Sequence, residues 1–376
     1  MTGCAWLIQG SLNLFECILI VRVLIRRKTG RIAQQAGPKF LNCDHIKWAQ
    51  YTITARSGSM FNSTHTLIGL AIARTGPDRW IPHAVLTAVI ASNLPDIDIV
   101  AELGSMPSYF EHHRGITHTF IGVPFLSLIL AAVMFLFTRN FWRTFVVALI
   151  VLATHPALDY ANPYGLRPFL PFNGTWYYGD ALFIIDPYID TVLLTGVLVG
   201  RYVENARRVA AWISMLVVGL YIGARVELRN QAEARLHEFA QQLRGAPIEK
   251  SAVLPHMLDP RTWTGIIETN DEIEAVRVDA FRGGGGGINI DPVIMRKAHP
   301  SVITERAATA RSAAVLLGFA RFPVMRVEAS ETGYRVIFLD FRFYNVGYNT
   351  AFAAEVFLDR SLNIVKESLG FNKTID

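Results

Sequence analysis

TFVVALIVLATHPALD, residues 144–159, decides how this chain is read. Thr144 to Ala153 is almost continuous hydrocarbon, and then His155 and Asp159 arrive four residues apart. On a helix these positions share one face, so the imidazole and the carboxylate can reach the same point. Ionisable side chains at membrane depth are costly, so they need partners and mark a function. Taken alone, the pair could also be a buried histidine hydrogen-bonded to its neighbouring aspartate.

Suitable partners recur at the ends of other apolar stretches. They are Ser63-Thr64-His65-Thr66, Leu94-Pro95-Asp96-Ile97-Asp98, the run His112-His113-Arg114-Gly115-Ile116-Thr117-His118, and Asp180 with Asp186-Pro187. Two carboxylates as close as Asp96 and Asp98 repel unless a cation or a proton sits between them. A solvated helix cap is the plain alternative for that pair, and a pH-sensitive interfacial loop for the histidine run. Mixed histidine and carboxylate ligands suit Zn²⁺ or a related divalent ion. Cys4, Cys17 and Cys43 all precede residue 60, so thiolates take no part in such a site.

Composition points to a bilayer. Of 376 residues, 51% are hydrophobic and 18% charged, and the mean hydropathy is +0.29. Ordinary soluble domains carry nearer a quarter charged residues. The net charge is +5, yet no Lys/Arg stripe with interleaved aromatics appears, so no nucleic-acid partner is expected. Apolar segments run over 66–73, 81–101, 120–137, 144–158, 182–200 and 210–224. A span needs about 20 residues for a hydrocarbon core of about 30 Å, so 66–73 reads as a half-inserted or re-entrant helix. Arg74 and Arg79, Arg139 and Arg143, and Arg201, Arg207 and Arg208 fall in alternate loops. Positive residues favour the cytoplasmic face, so the histidine and aspartate clusters and everything after Arg225 fall on the other side.

The fold class expected is mainly α, a polytopic membrane helical bundle followed by a small α+β C-terminal domain. Residues 1–59 read as an upstream extension, either a signal anchor or a segment ahead of a true start at Met60. Residues 60–225 are the expected membrane-embedded metal-dependent hydrolase domain, and 226–376 an extracytoplasmic tail. In the tail, 226–244 reads as a polar helix, 301–318 as another helix, and Gly283 to Gly287 as a flexible loop. Strand-like alternation covers 264–269, 275–281, 324–327, 334–343 and 351–358.

Taken in order, the clusters resemble the YdjM-like family of bacterial inner-membrane metal-dependent hydrolases. Met60-Phe61-Asn62-Ser63-Thr64-His65 matches its opening pattern, and Leu94 to Asp98 its Leu-Pro-Asp-x-Asp. His113 to His118 matches His-Arg-Gly-x-Thr-His, and His155, Asp159 and Asn162 to Gly165 match the next motif. Gly179-Asp180 and Asp186-Pro187 close the series, which covers roughly residues 60–200. A more distant similarity to zinc-dependent phospholipase C motivates a lipid or phosphoester substrate.

The resulting expectation is a multi-pass protein of the bacterial inner membrane, in contact with the lipid bilayer. It would hold one or two divalent ions, zinc first among them, on His65, Asp96, Asp98, His118, His155 and Asp159. Asp98 or His113 would shuttle a proton, and Arg114 or Arg167 would meet developing negative charge. Asn162, Arg167 and Asp180 would orient substrate. Asp186, inside an apolar stretch, would need Arg167 or a metal-bound histidine as partner. An ion- or proton-coupled transporter and a non-catalytic membrane adaptor are the rival functions.

Overall fold

Asp186 and Pro187 show how local chemistry sets an element boundary. The Asp186 carboxylate accepts hydrogen bonds from the Tyr188 and Ile189 amides at 3.0 and 3.2 Å. Pro187 occupies the first helical turn, where a missing N–H costs nothing. The helix therefore begins at Pro187, and the apolar stretch expected from 182 starts outside it. The computed structural model describes residues 63–374, apart from Glu204, 244–246, 282–287 and 345–349. The extension 1–59 with its three cysteines, Met60, and the Gly283–Gly287 loop lie outside the described residues.

The helical half runs α1 (Ser63–Thr75), α2 (Ala84–Asn93) continued by a 3-10 stretch (Leu94–Leu103), and α3 (Met106–His112). A 3-10 turn (Ile116–His118) then leads to α4 (Gly122–Thr138), α5 (Phe141–Ala161), α6 (Pro187–Tyr202) and α7 (Arg207–Leu243). Among the described residues, the stretches 84–101, 141–161 and 207–241 are long and apolar enough to cross a membrane. Residues 106–118 and 122–138, bent by 75°, make a fourth if they form one span. The 13-residue α1 buries Ile68, Gly69 and Leu70 against the longer helices. Ala73, Ala84, Ala88, Val123, Val147, Val151 and Leu152 pack one core of this bundle.

At 37 residues, α7 is about 55 Å long by the 1.5 Å rise per residue, well beyond a hydrocarbon core of about 30 Å. The apolar stretch 210–224 and the polar helix expected over 226–244 are thus one element. Its far end buries Ala232, Leu236 and Ala240 against a β-sheet.

That sheet is the antiparallel meander β1 (Lys250–Pro255), β2 (Thr262–Glu268), β3 (Glu272–Asp279) and β4 (Ile288–Arg296). Helices α8 (Val302–Ala308) and α9 (Arg311–Phe319) follow. A second antiparallel meander closes the chain: β5 (Pro323–Ser330), β6 (Gly333–Asp340), β7 (Thr350–Asp359) and β8 (Ile364–Thr374). The single helix expected over 301–318 is two, the first capped by Ser301.

Strand side chains alternate between faces, and the cores follow that alternation. Val253, Trp263, Val276 and Val278 face α7. Ala252, Leu254, Ile266 and Ile273 face Ile337, Leu339, Ala351 and Ala353 of the second sheet. Val336, Phe338, Phe352 and Ala354 face α8, α9 and α3. The order is helix, sheet, sheet, helices. Gly265 permits the first contact, because a Cβ there would stand 2.5 Å from Leu236 Cδ1.

Candidate functional site

His155 and Asp159 share a face of α5 and point into the bundle, with neither side chain more than 1% exposed. His155 is oriented by backbone: its Nδ1 lies 2.7 Å from the Ser92 carbonyl at the end of α2. A ring N–H given to a carbonyl leaves Nε2 as the nitrogen with a free lone pair. That Nε2 stands 3.3 Å from Asp96 Oδ1 and 3.5 Å from Asp159 Oδ2. His118, on the 3-10 turn before α4, brings its own Nε2 to 3.5 Å from Asp96 Oδ1 and 3.4 Å from Asp159 Oδ2.

These four atoms form a closed ring with edges of 3.3–3.5 Å. Ligands set tetrahedrally at about 2.0–2.2 Å from one zinc ion stand about 3.3–3.6 Å apart. His118 Nε2, His155 Nε2 and Asp159 Oδ2 are buried without a hydrogen-bond partner. Such groups are costly unless something else satisfies them. Spacing, donor type and missing partners all fit a divalent cation.

His65 adjoins this ring. Its imidazole stacks on His155 with centroids 3.7 Å apart, and its Nε2 lies 3.8 Å from Asp159 Oδ1. Asp98 and His113 form a separate pair, with Asp98 Oδ1 3.2 Å from His113 Nδ1. Asp98 Oδ2 accepts the Arg114 amide at 2.8 Å and lies 3.6 Å from His118 Nδ1. Thr117 Oγ1 also meets His118 Nδ1, at 3.0 Å. The structure thus gathers all six expected metal residues, together with His113, at one place. His112 stays on the surface, its Nδ1 on the Ser108 carbonyl.

The residues expected to meet substrate have other contacts. Arg114 is fully buried and pairs with Asp159 Oδ1 at 2.9 Å. It also donates to Asn162 Oδ1 and to the Gly165 carbonyl, at 3.1 and 2.9 Å. Gly165 lies in the left-handed region at φ +82°, which a turn can demand and a side chain resists. The Asn162 to Gly165 motif is therefore a cradle for Arg114, and Arg114 aims Asp159. Arg167 donates to the Glu111 carbonyl and lies over the Trp176 ring. Asp180 is fully buried, and both its carboxylate oxygens accept from Arg321 Nη1, at 2.9 and 2.7 Å. Burial pushes the Asp180 carboxyl above its usual range, and Arg321 opposes that push. Burial likewise raises the Tyr164 hydroxyl.

Asp186 corrects one expectation. Its partners are the helix amides and the Tyr221 hydroxyl at 3.0 Å, neither Arg167 nor a histidine. It is a helix cap that also receives a bond from α7.

Sequence reasoning missed three supports. Ser92 acts through its carbonyl, which no side-chain motif reveals. Tyr109 stacks on His113 with ring centroids 4.6 Å apart. Phe110, the next residue, plugs among Phe319, Phe352 and Phe371 of the C-terminal domain, 4.4 Å from Phe352. The adjacent Tyr-Phe pair on a short helix was the available signal.

Comparison with known proteins agrees with this architecture. Residues 60–232 match the model of the YdjM inner membrane protein family, and residues 302–375 that of the YfhP C-terminal alpha/beta plait domain. The uncharacterized protein YfhP of Bacillus subtilis (strain 168) is 26% identical over 326 residues. The match covers 83% of this chain and 95% of that protein. No solved structure matches the chain. Residues 60–232 of this membrane protein, which hold the whole His/Asp cluster, are thus similar to the YdjM inner membrane protein family, and its C-terminal end to the YfhP alpha/beta plait domain.

Proposed function

We propose that the protein is an integral-membrane metal-dependent hydrolase acting on an ester or phosphoester, with lipids the nearest source of such bonds. The ring of Asp96, His118, His155 and Asp159 carries this reading: four donors at ligand spacing, three of their atoms buried and without hydrogen bonds. These residues, with His65 beside them, would hold the ion, zinc before others. A divalent ion bound there supplies Lewis acidity and lowers the pKa of water toward about 7.

The chain's own groups do the rest. Ser92 and Thr117 fix the two imidazoles. Arg114 holds Asp159 in place. Asp98 with His113 is the nearest pair able to accept a proton. Asp96, the most open of the three carboxylates at 16% exposure, marks the side from which substrate arrives. Arg167 lies beside that pair, donating to the Glu111 carbonyl at 2.8 Å and to the His113 carbonyl at 3.5 Å. The site and the C-terminal domain would face away from the cytoplasm, by the distribution of arginines among the loops.

Elemental analysis of detergent-purified full-length protein tests the reading. About one zinc or more per chain is expected, with release of acid or phosphate from ester substrates that a chelator abolishes. A protein that binds no divalent metal after dialysis against each candidate ion would overturn it.

A further inference from the structure

We propose that the centre takes two divalent ions, the second held by Asp98 and His113 with Asp96 shared between them, and that it therefore accepts phosphoesters. The inference rests on the hydrolase reading and changes one part of it. Asp98 and His113 then hold an ion instead of accepting a proton.

Counting donor atoms leads there. Three groups of side chains converge closely enough to ligate: His65, His155 and Asp159; Asp96, His118 and His155; and Asp96, Asp98 and His113. His155 offers one nitrogen only, since Nδ1 is engaged by the Ser92 carbonyl. The first two groups both need that nitrogen, so they describe one ion. The third group needs neither His155 nor His118. It shares Asp96 alone, and a carboxylate has two oxygens. Oδ1 faces both His118 and His155, which leaves Oδ2 for a second ion. Asp98 Oδ1 and His113 Nδ1 stand 3.2 Å apart, between the about 3.0 Å of neighbouring ligands on an octahedral ion at about 2.1 Å and the about 3.3–3.6 Å of tetrahedral zinc ligands. Tyr109 stacked on the His113 ring holds it there.

Charge then selects the substrate. Asp96, Asp98 and Asp159 against Arg114 leave two formal negative charges in the cluster. One divalent ion neutralises them. A second leaves the centre positive by as much, which favours an anionic phosphoester over a neutral ester. Paired ions are also the arrangement that clamps an in-line displacement at phosphorus. Because coupling between ligands is reciprocal, phosphate should tighten the second ion as the second ion tightens phosphate.

The test is equilibrium dialysis of the full-length protein in detergent against Mn²⁺, with and without inorganic phosphate, followed by elemental analysis and electron paramagnetic resonance. Two Mn²⁺ per chain are expected, with a spin-coupled signal and a several-fold tighter second ion in phosphate. His113→Ala and Asp98→Asn should each retain one ion and an uncoupled signal. The unsubstituted protein decides the matter even if a variant fails to fold. Saturation at one uncoupled ion, with phosphate or without, overturns the second site and leaves the hydrolase reading standing. Two ions retained in a folded His113→Ala protein overturn the assignment of ligands. No bound ion at all overturns both readings.

Discussion

Replacing His155 by alanine removes one corner of the four-atom ring and nothing from the charge balance around it. Asp159 would be the poorer choice, because it is the counter-ion of fully buried Arg114. Leaving that guanidinium unpaired would cost about 3–5 kcal/mol of stability and confuse unfolding with metal loss. His155→Ala costs less. The Ser92 carbonyl loses its partner, worth about 1–3 kcal/mol for a buried group left unsatisfied. Metal binding should suffer more sharply. Loss of an outer-shell partner typically costs about 10–100-fold in affinity, or about 1.4–2.8 kcal/mol, and a direct ligand should cost at least that. The assay is metal-to-protein ratio on folded material after dialysis against a chelator of graded strength. His256→Ala serves as the control, since its imidazole bonds to Thr264 in the C-terminal sheets. If His155→Ala keeps the parental metal content and affinity, the ion is not between Asp96, His118, His155 and Asp159, and the hydrolase reading loses its support.

Other consequences are equally direct. Phe110→Ala empties a socket lined by Phe319, Phe352 and Phe371; a loss of about 3–5 kcal/mol is expected, with faster hydrogen exchange at the Arg114 amide, and protection unchanged there would show that α3 is held by other contacts. Arg342→Met breaks a fully buried pair with Asp340 at 2.6 Å and should destabilise by about 3–5 kcal/mol in thermal unfolding. His256 is held below its usual pKa of 6.5, first by burial and then by Arg277. Folding thus favours its neutral form, so its contribution is full above pH 6.5 and is lost as pH falls through the lowered value; His256→Gln should flatten the acid side of a melting-temperature profile. A fluorescent reporter that matures only in the cytoplasm, fused after Asp376, should stay dark, and a bright signal would reverse the proposed orientation.

Much of the candidate site could be read in the sequence because its histidines and aspartates lie in short motifs at the ends of apolar runs. His155 and Asp159 are related by helix periodicity, and Asp96 and Asp98 by mutual repulsion. What could not be read was which polar residues meet each other instead of a ligand. Arg114 and Asn162 look like substrate groups in a linear motif, yet a turn with Gly165 at positive φ closes them on one another. The same limit applied to the fold. Apolar length locates α2, α4 and α5 well, but Asp186 and Pro187 delay the start of α6. Nothing in composition at residue 225 ends a helix, so α7 runs on through the change from apolar to charged. Strands β1, β4 and β8 escaped because neighbouring strands, more than their own alternation, define them.

The C-terminal domain explains why several motif residues contact no part of the His/Asp ring. Three of its contacts with the helical half fall in segments that carry a residue of the candidate site. Phe110 sits in its aromatic core three residues before His113. Arg342 donates to the Pro163 carbonyl at 2.6 Å, inside the turn that cradles Arg114. Arg321 holds Asp180, and the two next residues bond back to the end of α5: the Ala181 and Leu182 amides donate to the Ala161 carbonyl at 2.8 and 2.9 Å. The apolar helices alone can bring His155 and Asp159 together with Asp96. The loop bearing His113 and Arg114 and the turn that receives Arg114 are tied from outside the bundle. A ring whose edges must agree within a few tenths of an ångström needs such ties, since ligand sites depend on the groups behind them. On this argument the tail is a brace for one wall of the centre, the wall formed by Asp98, His113 and Arg114.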